Sequence, residues 1–263
     1  MGDISPRAVE VLSSADVILC EDTRVTKILL SNLGISGKNL ISYHEHNKAS
    51  RAEKILELLS SGLDVVQVSD AGMPVISDPG EDLVRIASDA GFEVTCIPGP
   101  TAAMTAACLS GIDARFIHFE GFLPSAGSAR RERIAKLSGY EDTIIIYEAP
   151  HRINKLCEEL IEAGMGTRKT AFCRELTKKY EEVLRLTVSQ ARDHFEEKPP
   201  KGEFVVVMEG AKDRGSATVM DMGREDELKQ FLLSQDLPVK SVAKALSIVT
   251  GRSKNDIYKD LIK

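Results

Sequence analysis

The sequence predicts an α/β protein with two α/β domains and a small C-terminal helical appendage. Short β-branched runs alternate with helical patterns over the first 112 residues, and the alternation changes character after Gly111. A repeated strand and helix rhythm is typical of a mostly parallel sheet with helices packed on it. The length of 263 residues also fits two modest domains better than a single core.

The first domain is predicted to span residues 1–112 and to contain four pairs of a strand and a helix. Ser5 and Ser50 precede helical patterns and are N-cap candidates, while Gly91 and Gly111 lie where helices should end. The predicted pairs are 17–20 with 25–33, 40–42 with 52–59, 65–68 with 82–90, and 94–97 with 102–109.

The second domain, residues 113–212, is predicted to be an α/β unit with a more mixed sheet. Its predicted strands are 116–120, 143–147, 170–174, 182–186 and 204–208, with a helix at 153–163. The stretch 211–222 has no periodicity and is interpreted as a linker. Helical patterns at 225–233, 239–248 and 255–262 predict the appendage within 213–263. Its helix, glycine turn and helix weakly resemble a DNA-reading unit, but its balanced charge fits a packing or RNA-positioning role equally well.

Composition and charge exclude several classes of protein. No apolar run approaches the roughly 20 residues that cross a bilayer, and the N-terminus carries no legible targeting signal, so a cytoplasmic protein is expected. The five cysteines are widely spaced without a CxxC pair, which disfavours a disulfide framework or a zinc site. A net charge of −6 disfavours a protein that coats nucleic acid non-specifically, although a local basic patch can still bind it.

Turn-forming residues are concentrated directly after the apolar run 65–68, in the stretch SDAGMPVISDPG. Ligands of open α/β sheets bind at the strand ends, where loops present backbone N–H groups and helix N-termini. Asp70 could accept hydrogen bonds from ligand hydroxyls or an ammonium, or it could cap a turn. Asp78 precedes Pro79 and Gly80 in the form of an ordinary turn, which favours the capping interpretation for it.

A second Gly-Pro turn follows the next predicted strand, in IPGPTAAMTAACLSG. Pro98 and Gly99 bend the chain, and Thr101 with Ala102 opens a helix of small residues. Two such turns after neighbouring strands indicate a composite pocket for a methionine- or nucleotide-sized ligand. The sequence has neither GxGxxG nor GxxxxGK[ST], which argues against a dinucleotide fold and a P-loop enzyme.

Four polar clusters follow predicted strands: CEDTR, SYHEHN, YEAPHR and RELTKKYEE. His44 and His46 would share one face of an extended segment, which permits a metal site, but no third ligand is evident and a hydrogen-bonding or RNA-contacting role is favoured. A lone charged residue is usually solvated, whereas four strand-end clusters rich in Arg, Glu and His indicate a functional rim.

Basic charge is concentrated in SARRERIAKL, after the glycine- and proline-bearing loop FEGFLPSAG. Arg130, Arg131, Arg133 and Lys136 oppose only Glu132. The segment could be a mobile arm that neutralises phosphates, or a solvated helix face, and charge alone favours the helix face.

Nine motifs occur in the order typical of one family: CEDTR, SYHEHN, SDAGMPVISDPG, PGPTA, FEGFLP, YEAPHR, RELTKKYEE, KGEFVVVMEG and SKNDIYKDL. The chain thereby resembles ribosomal RNA small-subunit methyltransferase I, within the tetrapyrrole methylase superfamily. The resemblance implies methyl transfer from S-adenosylmethionine to the ribose 2′-hydroxyl of a cytidine in the decoding region of small-subunit ribosomal RNA. It also implies a homodimer, a cofactor cleft between two α/β domains, and the RNA or the assembled small subunit as partner.

The resemblance also assigns roles to residues, and no metal is among the expected ligands. The implied proton acceptor is Glu21 or Glu175, with Arg24, Arg152 and Arg174 holding phosphates or lowering the hydroxyl pKa. The residues expected to line the cofactor cleft are Asp70, Met73, Pro98, Gly99, Thr101, Ala102, Tyr147 and Gly202. Those expected to contact RNA are His44, Glu45, Arg130, Arg131, Arg133 and Arg174.

One departure from the family pattern concerns the N-terminus. Family members place a strand and a Pro-Ile-Gly-Asn-Leu-type loop before the Gly-Asp that here is Gly2 and Asp3. Without that strand, neighbouring ladder groups and apolar faces would be exposed, so a truncated product with impaired activity is one expectation. The alternatives are a non-catalytic RNA-binding or dimerising homologue, a small-molecule tetrapyrrole methylase, and an organellar rather than cytoplasmic protein.

Overall fold

The protein is described by a computed structural model, which covers residues 2–44, 48–211, 222–235, 237–250 and 254–262. The helices are α1 (Pro6–Ser14), α2 (Thr23–Asn32), α3 (Lys48–Ser60), α4 (Glu81–Asp89), α5 (Ala102–Ser110), α6 (Gly127–Leu137), α7 (Ile153–Glu162), α8 (Val188–Glu197), α9 (Met222–Ser234), α10 (Val239–Thr250) and α11 (Lys254–Leu261). The strands are β1 (Val17–Cys20), β2 (Asn39–Ser42), β3 (Val65–Val68), β4 (Ile117–Phe122), β5 (Thr143–Glu148), β6 (Lys169–Arg174), β7 (Glu182–Thr187) and β8 (Phe204–Met208).

The first sheet has the order β2-β1-β3, and both strand pairs are parallel. Central β1 is buried along its whole length, because helices and loops cover both faces of the sheet. Ser5 caps α1 by accepting a hydrogen bond from the N–H of Ala8 at 3.1 Å, and Gly111 ends α5 in the left-handed conformation, as the sequence predicts. Since parallel strands end at one edge, the loops after β1, β2 and β3 meet there.

Two local predictions in the first domain are wrong. Residues 94–97 are irregular rather than a strand: Val94 is 45% exposed, and no ladder partner for the segment lies among the described residues. Strand propensity expresses itself only when a neighbouring strand supplies hydrogen bonds and packing. Ser50 is not an N-cap either, since α3 begins two residues earlier at Lys48.

The second sheet is mixed, as predicted, with the order β4-β5-β8-β6-β7. Only β4 and β5 are parallel, and the other neighbours run antiparallel. Its larger core lies under α6, α7 and α8 and includes Phe172, Phe195 and Phe204. Helix α8 is absent from the sequence-based assignment, although its signature is present: Thr187 and Gln190 form a reciprocal capping box at its start.

Helix α5 packs on the opposite face of this second sheet. Its alanines Ala103, Ala106 and Ala107 pack in one cluster with Ile145 and Val207. Small side chains allow a close approach of helix and sheet, so the helix lies near the end of β5. The segment leading from the first sheet therefore supplies part of the second sheet's core.

The C-terminal helices form a small core of their own. Val242, Ala243 and Leu246 of α10 pack with Ile257 of α11, and Leu228 of α9 joins them. This agrees with the predicted helical patterns, while most of the predicted linker, residues 212–221, lies outside the described residues. Within the described ranges, each helix is too short or too polar to span a bilayer.

Candidate active site

Acidic side chains gather at the edge where the first sheet's strands end. Glu21 follows β1, and Asp70 and Asp78 lie in the loop after β3. The Oδ1 atom of Asp70 accepts a hydrogen bond from the N–H of Asp22 at 3.3 Å, which ties the loops after β1 and β3 together. The strand-end position of Glu21 and Asp70 therefore agrees with the sequence prediction.

The carboxylates of this acidic cluster repel one another. Loss of hydration raises the pKa of Glu21, and the charges of Asp70 and Asp78 raise it further, against a weaker opposing effect of His44. Burial also raises the pKa of Asp78, and Asp70 adds to it. Asp78 therefore belongs to the acidic cluster as well as to a turn. The turn motif in the sequence could not indicate this membership of the cluster. Such a cluster favours a cationic ligand.

The two Gly-Pro loops lie against each other. A Cβ atom placed on Gly99 would lie 2.9 Å from the Sδ of Met73, and one on Gly72 would lie 3.8 Å from the carbonyl oxygen of Pro100. In the same loop Val75 has a φ of +75°, which is unusual for a β-branched residue. Strained backbone of this kind concentrates at ligand sites, so the loop is a candidate wall of a pocket.

Tyr147, at the end of β5, joins this wall to the N-terminus of α5. Its Oη accepts a hydrogen bond from the N–H of Ala103 at 3.1 Å, and Thr101 caps the same helix by accepting from the N–H of Met104 at 3.2 Å. Burial raises the pKa of Tyr147, and the charge of Asp78 contributes to the rise. The hydroxyl therefore stays protonated at neutral pH and retains a proton to donate.

Glu175 has a different environment from Glu21. Its Oε1 accepts hydrogen bonds from the N–H of Glu203 at 2.9 Å and from the Nζ of Lys178 at 3.2 Å. These contacts, the backbone one first, lower the pKa of Glu175. A carboxylate stabilised in this way is a weak proton acceptor, and of the two implied candidates the structure favours Glu21 as a base.

Gly202 lies directly against Glu175, and we expect its replacement to destabilise the fold. Its φ is +82°, and an added Cβ would lie 2.6 Å from the Cγ of Glu175. Gly202→Ala therefore combines a left-handed backbone penalty of about 1–2 kcal/mol with a displaced carboxylate. Gly164, with φ +81° and open space around it, is the matched control. Urea denaturation should show a larger loss for Gly202→Ala than for Gly164→Ala, and equal losses would contradict the contact.

The prediction that Arg130 contacts RNA is corrected by its burial. Its side chain is 1% exposed, and Nη2 lies 3.0 Å from Glu148 while Nε lies 2.6 Å from Glu159. Nη1 also donates to the carbonyl oxygen of Pro124 at 3.0 Å. Glu148 in turn pairs with Arg152 at 2.6 Å. Arg130 is thus an internal cation that holds the loop before α6 and the YEAPHR segment together.

The other arginines predicted to contact RNA or phosphate differ in exposure and in ion pairing. Arg131 is exposed on α6, whereas Arg133 pairs with Glu120. The Nε of Arg174 lies 3.3 Å from Glu182, and Arg24 pairs with Asp22 at 2.6 Å although its side chain is 87% exposed. Glu45 and His46 lie outside the described residues.

Comparison with known proteins identifies the family. The family model for Tetrapyrrole (Corrin/Porphyrin) Methylases matches residues 1–192. The chain is 41% identical to "Ribosomal RNA small subunit methyltransferase I" of Xylella fastidiosa strain Temecula1, over 98% of this chain and 93% of that protein. The proteins of the same name from Vibrio cholerae and Escherichia coli O157:H7 are each 36% identical, over 98% of this chain and 89% and 90% of theirs. The chain belongs to the ribosomal RNA small subunit methyltransferase I family.

Solved structures agree with this membership at the level of the fold. A cobalt precorrin-4 methyltransferase has a TM-score of 0.58 at 19% identity, over 79% of this chain and 89% of its own. A uroporphyrin-III C-methyltransferase from Thermus thermophilus has a TM-score of 0.55 at 19% identity, over 78% and 88%. The predicted two-domain α/β fold of tetrapyrrole-methylase type is thereby confirmed, and the chain is a methyltransferase.

Proposed function

We propose that this methyltransferase transfers a methyl group from S-adenosylmethionine to a ribose 2′-hydroxyl of small-subunit ribosomal RNA, on a cytidine of the decoding region. Family membership supports the methyl transfer and the RNA substrate. The observation that carries the chemistry is Glu21, a carboxylate of raised pKa at the strand ends. The Tyr147 hydroxyl bonded to α5 lies within the electrostatic reach of the same acidic cluster.

The residues at this edge fit S-adenosylmethionine. The cofactor carries a sulfonium and an ammonium, and Asp70 raises the pKa of both Glu21 and Asp78, so a cation that enters relieves this repulsion. The touching loops at Met73 and Gly99 offer main-chain groups at close range. Asp70 would hold ribose hydroxyls or the ammonium. Bound there, the cofactor supplies an electrophilic methyl group.

The chain's own contribution to the reaction is positioning and proton transfer. Glu21 accepts the proton of the 2′-hydroxyl as the 2′-oxygen attacks the methyl group. The raised pKa of Glu21 makes it a better base than Glu175, whose pKa is lowered. Arg24, with its guanidinium exposed at the start of α2, holds a neighbouring phosphate. Arg152 and Arg174 orient the backbone on the side of the second domain.

We expect binding of S-adenosylmethionine to strengthen as pH rises. Protonated Glu21 and Asp78 attract no cation, and their pKa values are raised, so the affinity gain occurs at higher pH than for ordinary carboxyls. Calorimetric titration between pH 4 and pH 8 measures this directly. S-adenosylhomocysteine, whose sulfur is neutral, is the matched control and should show a smaller pH dependence. The same dependence for both ligands would contradict the role of the acidic cluster.

The function is tested by incubating the chain with purified small ribosomal subunits, or their naked RNA, and S-adenosylmethionine. Digestion to nucleosides and mass spectrometry should reveal 2′-O-methylcytidine. If no methylated nucleoside forms, the proposed activity is overturned, and a chain that also fails to bind S-adenosylmethionine is the non-catalytic RNA-binding or dimerising homologue. If uroporphyrinogen is methylated instead, the small-molecule alternative holds.

The proposed function also concerns the oligomeric state, the compartment and the domain boundaries of the protein. We infer a homodimer that acts in the cytoplasm on the assembled subunit, with domains at 1–112, 113–212 and 213–263. One chain has a mass of 28.7 kDa, and light scattering of the purified protein should report twice this value. A monomer at micromolar concentration would overturn the dimer.

A further inference from the structure

An exposed aromatic side chain lies at the end of β4, beside the proposed cleft. Phe122 pairs in register with Tyr147 across the parallel strands β4 and β5. The two ring centroids are 5.4 Å apart at an angle of 62°, an edge-type contact. Even so, Phe122 remains 56% exposed. Its ring is therefore held at a fixed place while much of its surface faces solvent.

The loop after β3 reaches the same place from the first domain. A Cβ atom on Gly121, next to Phe122, would lie 2.9 Å from the Oγ of Ser77. Ser77 has a φ of +63°, and its neighbour Ile76 is 43% exposed. The loop that carries Ile76 and Asp78 therefore approaches the chain directly beside Phe122. A ligand part resting on Phe122 would adjoin the proposed reaction site.

The RNA substrate proposed above makes a nucleotide the expected occupant of the exposed Phe122 ring. An exposed aromatic ring beside the proposed cleft fits an unstacked base, because bases of single-stranded RNA stack on aromatic side chains.

We propose that Phe122 stacks on the base of the RNA nucleotide whose ribose enters the cleft. This inference rests on the proposed function and deepens it by naming a substrate-positioning residue. Recognition of single-stranded RNA uses unstacked bases laid on aromatic side chains. Stacking on Phe122 holds the nucleotide beside Tyr147 and the acidic cluster, and a stack reads no base edge, so the contact sets position rather than sequence.

The chain offers a matched control in Phe116. It is 71% exposed and precedes β4, whereas Phe122 ends the strand. Six residues of extended chain separate the two by about 20 Å. Phe116→Ala therefore removes the same exposed ring from a place remote from the cleft.

The test compares Phe122→Ala, Phe122→Leu, Phe122→Tyr and Phe116→Ala. We expect Phe122→Ala to lower kcat/KM for RNA methylation by about 10-fold to 100-fold, the cost of one lost base stack. Phe122→Leu should lose nearly as much, because it keeps apolar area without a ring, while Phe122→Tyr and Phe116→Ala should stay within about twofold. Cofactor affinity should be unchanged in all four.

Three results would overturn the inference. The first is a kcat/KM of Phe122→Ala equal to that of the wild type, and the second is full activity of Phe122→Leu. The third is a change of oligomeric mass in Phe122→Ala, because it would place the ring in a contact between two copies of the chain. A wild-type chain that methylates no RNA would overturn the proposed function instead. If the wild-type chain is inactive, fluorescence anisotropy with a single-stranded RNA oligonucleotide still tests the stacking contact. Equal RNA affinity of the wild type and Phe122→Ala would contradict stacking.

Discussion

Glu21→Gln is expected to lower kcat for RNA methylation by about 10²-fold to 10⁴-fold, the contribution typical of a general base. The substitution keeps size and hydrogen-bonding capacity but removes the proton acceptor. It also removes one member of a mutually repelling cluster, so we expect no loss of stability. Single-turnover kinetics with saturating cofactor measure the effect on the chemical step.

The pH profile provides an independent readout of Glu21. In the wild type, kcat/KM for the cofactor should rise with pH as Glu21 of the free enzyme loses its proton, with a midpoint above that of an ordinary glutamate because its pKa is raised. Glu21→Gln should lose this dependence. Glu175→Gln is the control, since that carboxylate already accepts hydrogen bonds from Glu203 and Lys178. If Glu175→Gln removes kcat in a stable protein while Glu21→Gln does not, the assignment is reversed.

Arg130→Ala is expected to reduce the free energy of unfolding by about 3–5 kcal/mol, as when one partner of a buried ion pair is deleted. The substitution leaves the carboxylate of Glu148 at 0% exposure and that of Glu159 at 17% without their common partner. Arg152 still pairs with Glu148, so the loss is shared within a network rather than confined to one bond. Guanidinium denaturation measures it.

The neighbouring arginine supplies the control for this prediction. Arg131 lies one residue further on α6 and is exposed, so Arg131→Ala should change stability by about 0.5 kcal/mol or less. RNA affinity should respond in the opposite sense, falling more in Arg131→Ala than in any folded Arg130 variant. Equal stability of the two alanine variants would show that the buried network contributes nothing.

Local sequence features determined much of the fold. β-branched runs bounded by turns located β1, β2, β3 and the five strands of the second sheet, and Ser5 and Gly111 marked helix ends. The wrongly predicted strand at 94–97 has a physical cause. Residues 94–97 have strand propensity but no ladder partner among the described residues, and propensity without a partner does not form a strand.

Side-chain roles depended on neighbours distant in sequence. Arg130 and Arg131 contribute equally to the basic charge of their segment. Nevertheless, Arg130 is buried between Glu148 and Glu159, whereas Arg131 is exposed. Glu21 and Glu175 likewise both follow strands, but only the first lies among repelling carboxylates. Charge patterns record residue types, whereas burial and pKa depend on which groups approach through space.

The sequence by itself determined the α/β class, the family to which its ordered motifs belong, and the loops that meet at the strand ends of the first sheet. Only the tertiary structure decided which carboxylate has a raised pKa, which arginine is buried in ion pairs, and that Phe122 stands exposed beside Tyr147. The physical reason is that motifs and periodicity are properties of neighbouring residues along the chain. Desolvation, charge repulsion and ring contacts arise between residues that folding brings together.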